Sequence, residues 1–187
     1  MTDFTLHTED TAPEASKPLM AKAKASYCAV LNLQAVMAEA PGLLEAYLRL
    51  HELVATSSFS AKEVTVLWQA INVEHNCIYC VPAHTAIARQ MRVSDAITDA
   101  LRDGTPLPTA RLEALRAFAL EMVRERGVLG ADDVQAFLDA GYTQRNVLEV
   151  ILACAQKVMS NYTSHLAQVP LDKPFRKFAW GEGVSVW

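Results

Sequence analysis

Apolar residues recur at spacings of three and four along most of the chain, which is the repeat of an amphipathic helix. Ser60 and Glu63 form a capping box, because the hydroxyl and the carboxylate can each accept a free backbone N–H of the first turn. Further helix starts are predicted at residues able to cap a helix, namely Asn32, Ser94, Thr109 and Thr143. No segment shows the alternation of a β-strand, so the pattern predicts an all-α, single-domain helical bundle.

The last predicted helix is the longest, and it begins after Thr143. Its apolar residues share one side of the helix, and we expect that side to face the core. These residues are Val147, Val150, Ile151, Cys154 and Val158.

Both ends of the chain lack this repeat. Residues 1–17 are rich in Thr, Glu, Asp and Pro and predict a flexible N-terminal arm. Residues 18–169 form the predicted helical domain. Residues 170–187 predict an irregular tail, whose aromatic residues, including Trp180 and Trp187, would pack on the body or on a neighbouring subunit.

Composition narrows the class of protein. The net charge of -4 is spread over both signs, which argues against a nucleic-acid partner. No run approaches the roughly 18 apolar residues of a membrane span, and the polar start does not resemble a secretory signal. We therefore expect a cytoplasmic protein without a membrane partner. In that reducing compartment, a C-x-x-C pair is more often redox-active or metal-binding than structural.

The candidate chemistry lies in the motif Cys77-x-x-Cys80-x-x-x-His84. On a helix, or at its start, this spacing puts both sulfurs and the imidazole on one side. A helix N-terminus stabilises a thiolate, and an imidazole can take a thiol proton. Two helix starts are compatible with the sequence. Asn76 could cap the helix, or the helix could begin near Tyr79 with Pro82 in its first turn, where proline is tolerated.

These residues resemble the alkylhydroperoxidase D / carboxymuconolactone decarboxylase-like family. The motif Cys77-x-Tyr79-Cys80-x-x-x-His84 carries the resemblance, together with the helix that opens at Phe59-Ser60-Ala61-Lys62-Glu63 and the segment Ala40-Pro41-Gly42-Leu43-Leu44. Pro170-Leu171-Asp172, followed by Phe175 and Trp180, is similar to the tail of its peroxidase-related branch.

The resemblance implies an all-α homo-oligomer and an antioxidant oxidoreductase that uses no cofactor. Cys77 and Cys80 match the redox-active disulfide pair, and His84 matches the histidine that activates the inner thiol. The substrate would be a peroxide, and an external dithiol or a peroxiredoxin-type partner would exchange electrons with the pair.

Two departures from the family pattern concern the proton relay. Tyr79 stands where founding members have a histidine, and it could donate its hydroxyl to the sulfurs or only shield them from water. Thr65 stands where they have the relay glutamate. Glu63 is two residues away, but the capping box already explains it. The resemblance favours Glu74 as the substitute, because relatives of the peroxidase-related branch often carry a run similar to Asn72-Val73-Glu74 just before the first cysteine.

Other interpretations remain open for the same cluster. Cys77 and Cys80 could be packed apolar residues, and His84 could be a core histidine. Together with His75 they provide four ligands of the kind that zinc prefers, although all lie on one short segment. A lactone decarboxylase on the same fold is a third possibility, although decarboxylation does not need two thiols.

Overall fold

The structure is a computed structural model that describes residues 3–181, except for the side chain of Tyr27. Within this range it contains α-helices, two short 3-10 helices (Glu14–Ser16 and Lys173–Phe178) and no β-strand. The α-helices are α1 (Lys17–Tyr27), α2 (Asn32–Met37), α3 (Pro41–Ala55), α4 (Ala61–Glu74), α5 (Cys80–Gln90), α6 (Asp95–Asp103), α7 (Ala110–Arg124), α8 (Ala131–Asp139) and α9 (Gln144–Ala167). The prediction of an all-α helical bundle is confirmed.

Local capping explains where most helices begin and end. The Ser60 hydroxyl accepts the Glu63 N–H, and the Glu63 carboxylate accepts the Ser60 N–H at 2.9 Å. Thr109 and Thr143 accept N–H groups at the starts of α7 and α9 in the same way. Gly104 ends α6 with a φ of 68°, a left-handed conformation that glycine adopts without strain.

Helix α4 runs through the centre of the molecule and packs against α5, α6, α7 and α9. On one side of it lies a wholly apolar core that includes α8. Phe137 stacks between Phe118 and Tyr142, with ring centroids 4.2 and 4.3 Å away. We call this region the apolar cluster, and its central members are Val66, Leu67, Leu115, Phe118, Phe137, Tyr142 and Val150.

A second core lies on the other side of α4 and involves both ends of the chain. Residues 3–16 run along α2, where the His7 N–H donates to the Ala35 carbonyl at 3.2 Å. The Ser16 hydroxyl donates to the Ala38 carbonyl at 2.5 Å, and Ala12 is buried. The predicted arm thus contacts the body over residues 3–16, and its flexibility stays a prediction.

The tail residues 170–181 lie on the body. Arg102 donates to the carbonyls of Phe178 and Ala179, and the Trp180 indole donates to the Arg102 carbonyl at 3.0 Å. Phe175 is buried against the edge of Tyr79. Trp187, which we also expected to pack, lies outside the described residues.

Helix α9 differs from its prediction in the side that it buries. Val150 is buried, but Ile151 and Val158 are 49% and 39% exposed and line an open apolar groove of about 640 Å³ between α7, α8 and α9. The predicted homo-oligomer would cover such a surface, and it stays a prediction. None of the helices within residues 3–181 combines the length and the apolar character that a membrane crossing requires.

Candidate active site

The segment between α4 and α5 sets the position of both cysteines. Asn76 has a φ of 50°, and the Cys77 N–H reaches back to the Asn72 carbonyl at 3.0 Å. This geometry ends α4, because asparagine tolerates the left-handed conformation. Of the two helix starts that the sequence left open, a cap of α5 at Asn76 is therefore excluded. The alternative start is confirmed: Tyr79 precedes α5, and Pro82 lies in its first turn, where no N–H partner is needed.

Both sulfurs are buried and in contact. Cys77 is 0% and Cys80 is 2% exposed, and the Cys80 N–H donates to Cys77 Sγ at 3.2 Å. The hydrogen bond from the Cys80 thiol, helped by the Cys80 N–H, the Ser164 hydroxyl and the charge of Lys157, lowers the pKa of Cys77 to about 5 against the effect of burial. Burial raises the pKa of the Cys80 thiol well above its usual range. The negative charge of the pair therefore rests on Cys77.

His84 lies one turn after Cys80 and is also buried. Its Nε2 is 2.8 Å from Lys157 Nζ on α9, and its Nδ1 has no hydrogen-bond partner among the described residues. Burial and the nearby charge of Lys157 lower the pKa of His84 well below its usual value, so the imidazole is neutral. The structure thus brings Cys77, Cys80 and His84 together and adds a buried lysine to them.

Two aromatic side chains complete the surroundings of His84. The Trp68 ring centroid is 4.8 Å from His84 and 4.8 Å from His51, and the His51 ring stacks on the indole. Burial, followed by the charge of Lys157, lowers the pKa of His51 to about 4. His51 is therefore neutral near pH 7 as well.

Buried polar side chains from α4 and α9 bind the first turn of α5. We call these six residues the polar seam: Gln69, Asn72, Gln156, Lys157, Asn161 and Ser164. The Gln69 amide donates to the Val81 carbonyl at 3.1 Å, and the Asn161 amide donates to Asn72 Oδ1 at 3.0 Å. Such bonds fix the backbone on which the cysteines stand.

A small cavity of about 20 Å³ opens beside this cluster. Cys80, His84 and His51 line it together with Tyr79, Tyr47 and Gln34. Cys77 is not among the residues that line it. A molecule in the cavity would therefore lie against Cys80 and His84 and not against Cys77.

At the level of sequence, neither a family model nor a curated protein matches this chain. At the level of structure, it matches an uncharacterized peroxidase-related protein from Ralstonia eutropha JMP134, described as an alkylhydroperoxidase AhpD core, with a TM-score of 0.81 and 18% identity over 92% of this chain and 93% of that chain. An uncharacterized peroxidase-related protein from Silicibacter sp. TM1040 matches with a TM-score of 0.77 and 18% identity over 93% and 92% of the two chains. The chain has the alkylhydroperoxidase D-like fold.

The resemblance predicted from the sequence is thereby confirmed as a fold. A third match is a variant of the debrominase Bmp8 in complex with 2,3,4-tribromopyrrole, with a TM-score of 0.77 and 16% identity over 95% of each chain. Identities of 16–18% establish the shared fold and leave the chemistry to the residues of this chain.

Tyr79 occupies the wall of the cavity in this alkylhydroperoxidase D-like fold. Its hydroxyl donates to the Asp172 carboxylate at 2.6 Å and accepts the Leu33 N–H at 3.4 Å. Burial, with the Asp172 charge, raises the pKa of Tyr79 well above its usual value. The hydroxyl therefore ties the tail and α2 to the site. Of the two roles considered for Tyr79, shielding the sulfurs agrees better with these contacts.

Glu74 does not join the cluster. Both of its carboxylate oxygens accept hydrogen bonds from Arg124 at 2.8 Å, on the side of α4 that faces α7. The bond from Arg124 lowers the pKa of Glu74. The relay role that the family resemblance suggested for Glu74 finds no contact with the sulfurs among the described hydrogen bonds, and it stays a prediction.

The zinc interpretation gains no support from the described residues. His75 Nδ1 donates to Asn161 Oδ1 at 2.8 Å, and its ring lies beside Tyr162. Within residues 3–181, no group of three or more His, Cys, Asp or Glu side chains is arranged to hold a metal ion. The four proposed ligands do not converge because α4 ends between His75 and Cys77.

Sequence reasoning missed Lys157 and the rest of the polar seam on α9. Lys157, Asn161 and Ser164 follow Val150 at helical spacings, so all four lie on one side of the helix. A line of polar residues that continues an apolar one is a signal for a buried polar site. We overlooked it because the neighbouring face, with Ile151 and Val158, is more apolar.

Proposed function

We propose that this protein is a thiol-disulfide oxidoreductase that reduces small peroxides with the Cys77–Cys80 pair. The observation that carries the proposal is the pairing of the two cysteines: the Cys80 thiol hydrogen-bonds to Cys77, and the Cys80 backbone N–H also donates to Cys77 Sγ, at 3.2 Å, beside a cavity lined by Cys80. A thiol and a thiolate held this close can form a disulfide with little movement of the backbone. The fold of the peroxidase-related proteins agrees with this chemistry.

The cavity assigns different roles to the two sulfurs. Cys77 carries the charge at rest, whereas Cys80 meets the oxidant, so the Cys80 proton first passes to Cys77. The Cys80 thiolate then attacks one peroxide oxygen; the S–O bond forms, the O–O bond breaks, and Cys80 becomes a sulfenic acid. Cys77 attacks that sulfur, and water leaves as the disulfide forms. An external dithiol or a peroxiredoxin-type partner restores both thiols by disulfide exchange.

The volume of the cavity limits the oxidant. A space of about 20 Å³ for water-sized molecules is close to the room that a single water needs. Hydrogen peroxide, the smallest peroxide, requires the least movement of side chains to enter such a space, whereas an aromatic hydroperoxide or a bromopyrrole requires much more. We therefore infer a preference for hydrogen peroxide over cumene hydroperoxide.

The experiment is oxidation of the reduced protein with one equivalent of hydrogen peroxide, followed by mass spectrometry of the alkylated peptides. We expect an intramolecular Cys77–Cys80 disulfide, no disulfide in Cys77→Ser or Cys80→Ser, and loss of peroxide turnover with dithiothreitol in both variants. Cys154→Ser is the matched control, because burial raises the pKa of that thiol to about 11 and makes it unreactive.

Three outcomes would count against the proposal. Absence of the Cys77–Cys80 disulfide after peroxide treatment would overturn it. Debromination of 2,3,4-tribromopyrrole at a rate above that of peroxide reduction would instead favour the activity of the debrominase neighbour. Full activity of a Cys77→Ser, Cys80→Ser double variant on a lactone would favour the decarboxylase.

A further inference from the structure

Lys157 is buried to an extent that is unusual for a lysine. Of the Lys, Arg, Asp and Glu side chains in residues 3–181, it alone is fully buried, with 0% exposure. None of the salt bridges found in that range includes it. An ammonium without an anion in a protein interior is costly, so a buried lysine either loses its proton or has an anionic partner.

The two cysteines are the groups near Lys157 that can supply the anion. The charge of Lys157 lowers the pKa of Cys77 and opposes the rise in the pKa of Cys80. In return, burial lowers the pKa of Lys157, and the charges of both sulfurs oppose that lowering without cancelling it. The other titratable groups that face Lys157 are His84 on α5 and His51 on α3, and both are neutral imidazoles. Ammonium and thiolate therefore depend on each other.

His84 lies between this ammonium and the cavity. Its Nε2 is 2.8 Å from Lys157 Nζ, and its ring forms part of the cavity wall. When Nε2 accepts a hydrogen bond from the Lys157 ammonium, that nitrogen carries no hydrogen. The single N–H of the neutral imidazole is therefore on Nδ1. Nδ1 is buried and has no hydrogen-bond partner among the described residues. It is thus an unused donor on a ring that forms part of the cavity wall.

We propose that Lys157 stores the second proton of the dithiol and delivers it, through His84, to the oxygen that leaves the peroxide. This inference rests on the proposed function. When the Cys80 thiolate attacks, the leaving oxygen takes the proton from His84 Nδ1, and Nε2 takes one from Lys157. The Cys77 thiol supplies the other proton, which leaves as water when the disulfide forms. The oxidised site then holds a neutral Lys157, and reduction by an external dithiol returns both protons.

The test compares two substitutions in the full chain with Cys28→Ser, which removes the exposed thiol from the measurement. Lys157→Met removes the charge and keeps the bulk, and apolar replacement of a buried charge is compatible with folding. Lys157→Arg keeps a charge that is not released. Lys62→Met, on the exposed side of α4, is the matched control. Thiolate absorbance against pH reports the charge, and single-turnover oxidation by hydrogen peroxide reports proton delivery.

We expect Lys157→Met to raise the pH midpoint of thiolate formation by about one unit, the lower end of what loss of an adjacent opposite charge does, because the hydrogen bonds to Cys77 remain. Lys157→Arg should keep the low pH midpoint of thiolate formation. Hydrogen peroxide should nevertheless oxidise this variant about 10²–10⁴-fold more slowly than the parent, which is the usual size of acid–base catalysis. Lys62→Met should match the parent in both measurements.

Each part of the inference has a result that overturns it. An unchanged midpoint in Lys157→Met refutes the ion pair, and parental oxidation by a folded Lys157→Arg refutes proton delivery. If Lys157→Arg does not fold, Lys157→Met is measured instead, at a pH where its cysteine thiolate is formed. A parental rate of oxidation by hydrogen peroxide in that variant refutes proton delivery by Lys157. Failure of the parent to form the Cys77–Cys80 disulfide refutes the proposed function, and the absorbance titration still decides the ion pair.

Discussion

The two halves of helix α9 bury opposite kinds of side chain. The first half places Val150 and Ala153 in the apolar cluster, whereas the second half places Lys157, Asn161 and Ser164 in the polar seam. Both sets lie on the same side of one helix and have almost no exposure to solvent. The helix thus joins the apolar cluster to the buried polar side chains of the seam.

The two halves of α9 therefore contribute differently, the first mainly to stability and the second mainly to the chemistry of the candidate site. Each fully buried apolar side chain contributes about 1.5–3 kcal/mol through removal from water. A hydrogen bond between neutral groups contributes only about 1 kcal/mol net, and a buried ammonium opposes folding. The polar seam is therefore the less stabilising way to fill that volume. What it adds is a fixed thiolate with a proton carrier beside it, which apolar residues do not provide.

The largest effect on stability is expected in the apolar cluster. Phe137 is 2% exposed and stacks on both Phe118 and Tyr142, so Phe137→Ala removes two ring contacts and leaves a cavity. We expect a loss of about 3–5 kcal/mol in the free energy of unfolding, measured by urea denaturation. Peroxide-driven formation of the Cys77–Cys80 disulfide in the folded variant should be unchanged. A loss below about 1 kcal/mol would mean that this region does not dominate stability.

A smaller effect, confined to acidic pH, is expected next to the polar seam. His51 has its pKa lowered to about 4 in the folded protein, so the unfolded chain binds a proton that the folded one excludes between about pH 6.5 and 4. Stability is therefore lost as the pH falls through that window, by up to about 3 kcal/mol from this residue. Glu63, Glu74 and Glu149 act at lower pH, because their pKa values are lowered from 4.5.

Replacement of His51 tests this acid sensitivity. His51→Phe keeps a ring to stack on Trp68 and removes the titrating group. Urea denaturation at several pH values should show a weaker dependence between pH 4 and 6.5, and His84 should account for the remainder. An identical pH dependence in His51→Phe and the parent would show that His51 is not the group excluded from protonation.

The contrast within α9 also explains how much of the molecule could be predicted from its sequence. The starts at Ser60, Thr109 and Thr143 were predictable, because a cap and the first turn that it serves lie within four residues. The C-x-x-C-x-x-x-H cluster was predictable for the same reason, since its three side chains share one segment.

The polar seam was not predictable in this way, because its partners are distant in the sequence. Lys157 Nζ meets His84 across 73 positions, and Asn161 meets Asn72 across 89. Hydrophobic periodicity correctly indicated a helix in residues 144–167, but it favoured the wrong side, because Ile151 and Val158 outweigh the short apolar line through Val150. The sequence could not decide the role of Asn76, because one residue type serves both as a helix cap and as a left-handed helix end.

The smallest effects are expected at the two glutamates considered for the proton relay, which lie at opposite ends of α4. Glu63 accepts hydrogen bonds from the Ser60 N–H and hydroxyl and from Arg111. Glu63→Gln should therefore lower the free energy of unfolding by about 1 kcal/mol, through a weaker capping box. Glu74→Gln breaks a partly exposed ion pair with Arg124 and should cost about 0–1 kcal/mol.

The same pair of variants decides where the proton relay lies. If Lys157 and His84 carry the proton, both variants should form the Cys77–Cys80 disulfide at the parental rate in single-turnover oxidation. A decrease of tenfold or more in Glu74→Gln alone would place the relay at Glu74, despite its pairing with Arg124. The same decrease in Glu63→Gln alone would place it beside the cap. Parental rates in both variants would leave Lys157 on α9 as the source of the proton. That role would also explain why the second half of the helix buries polar side chains.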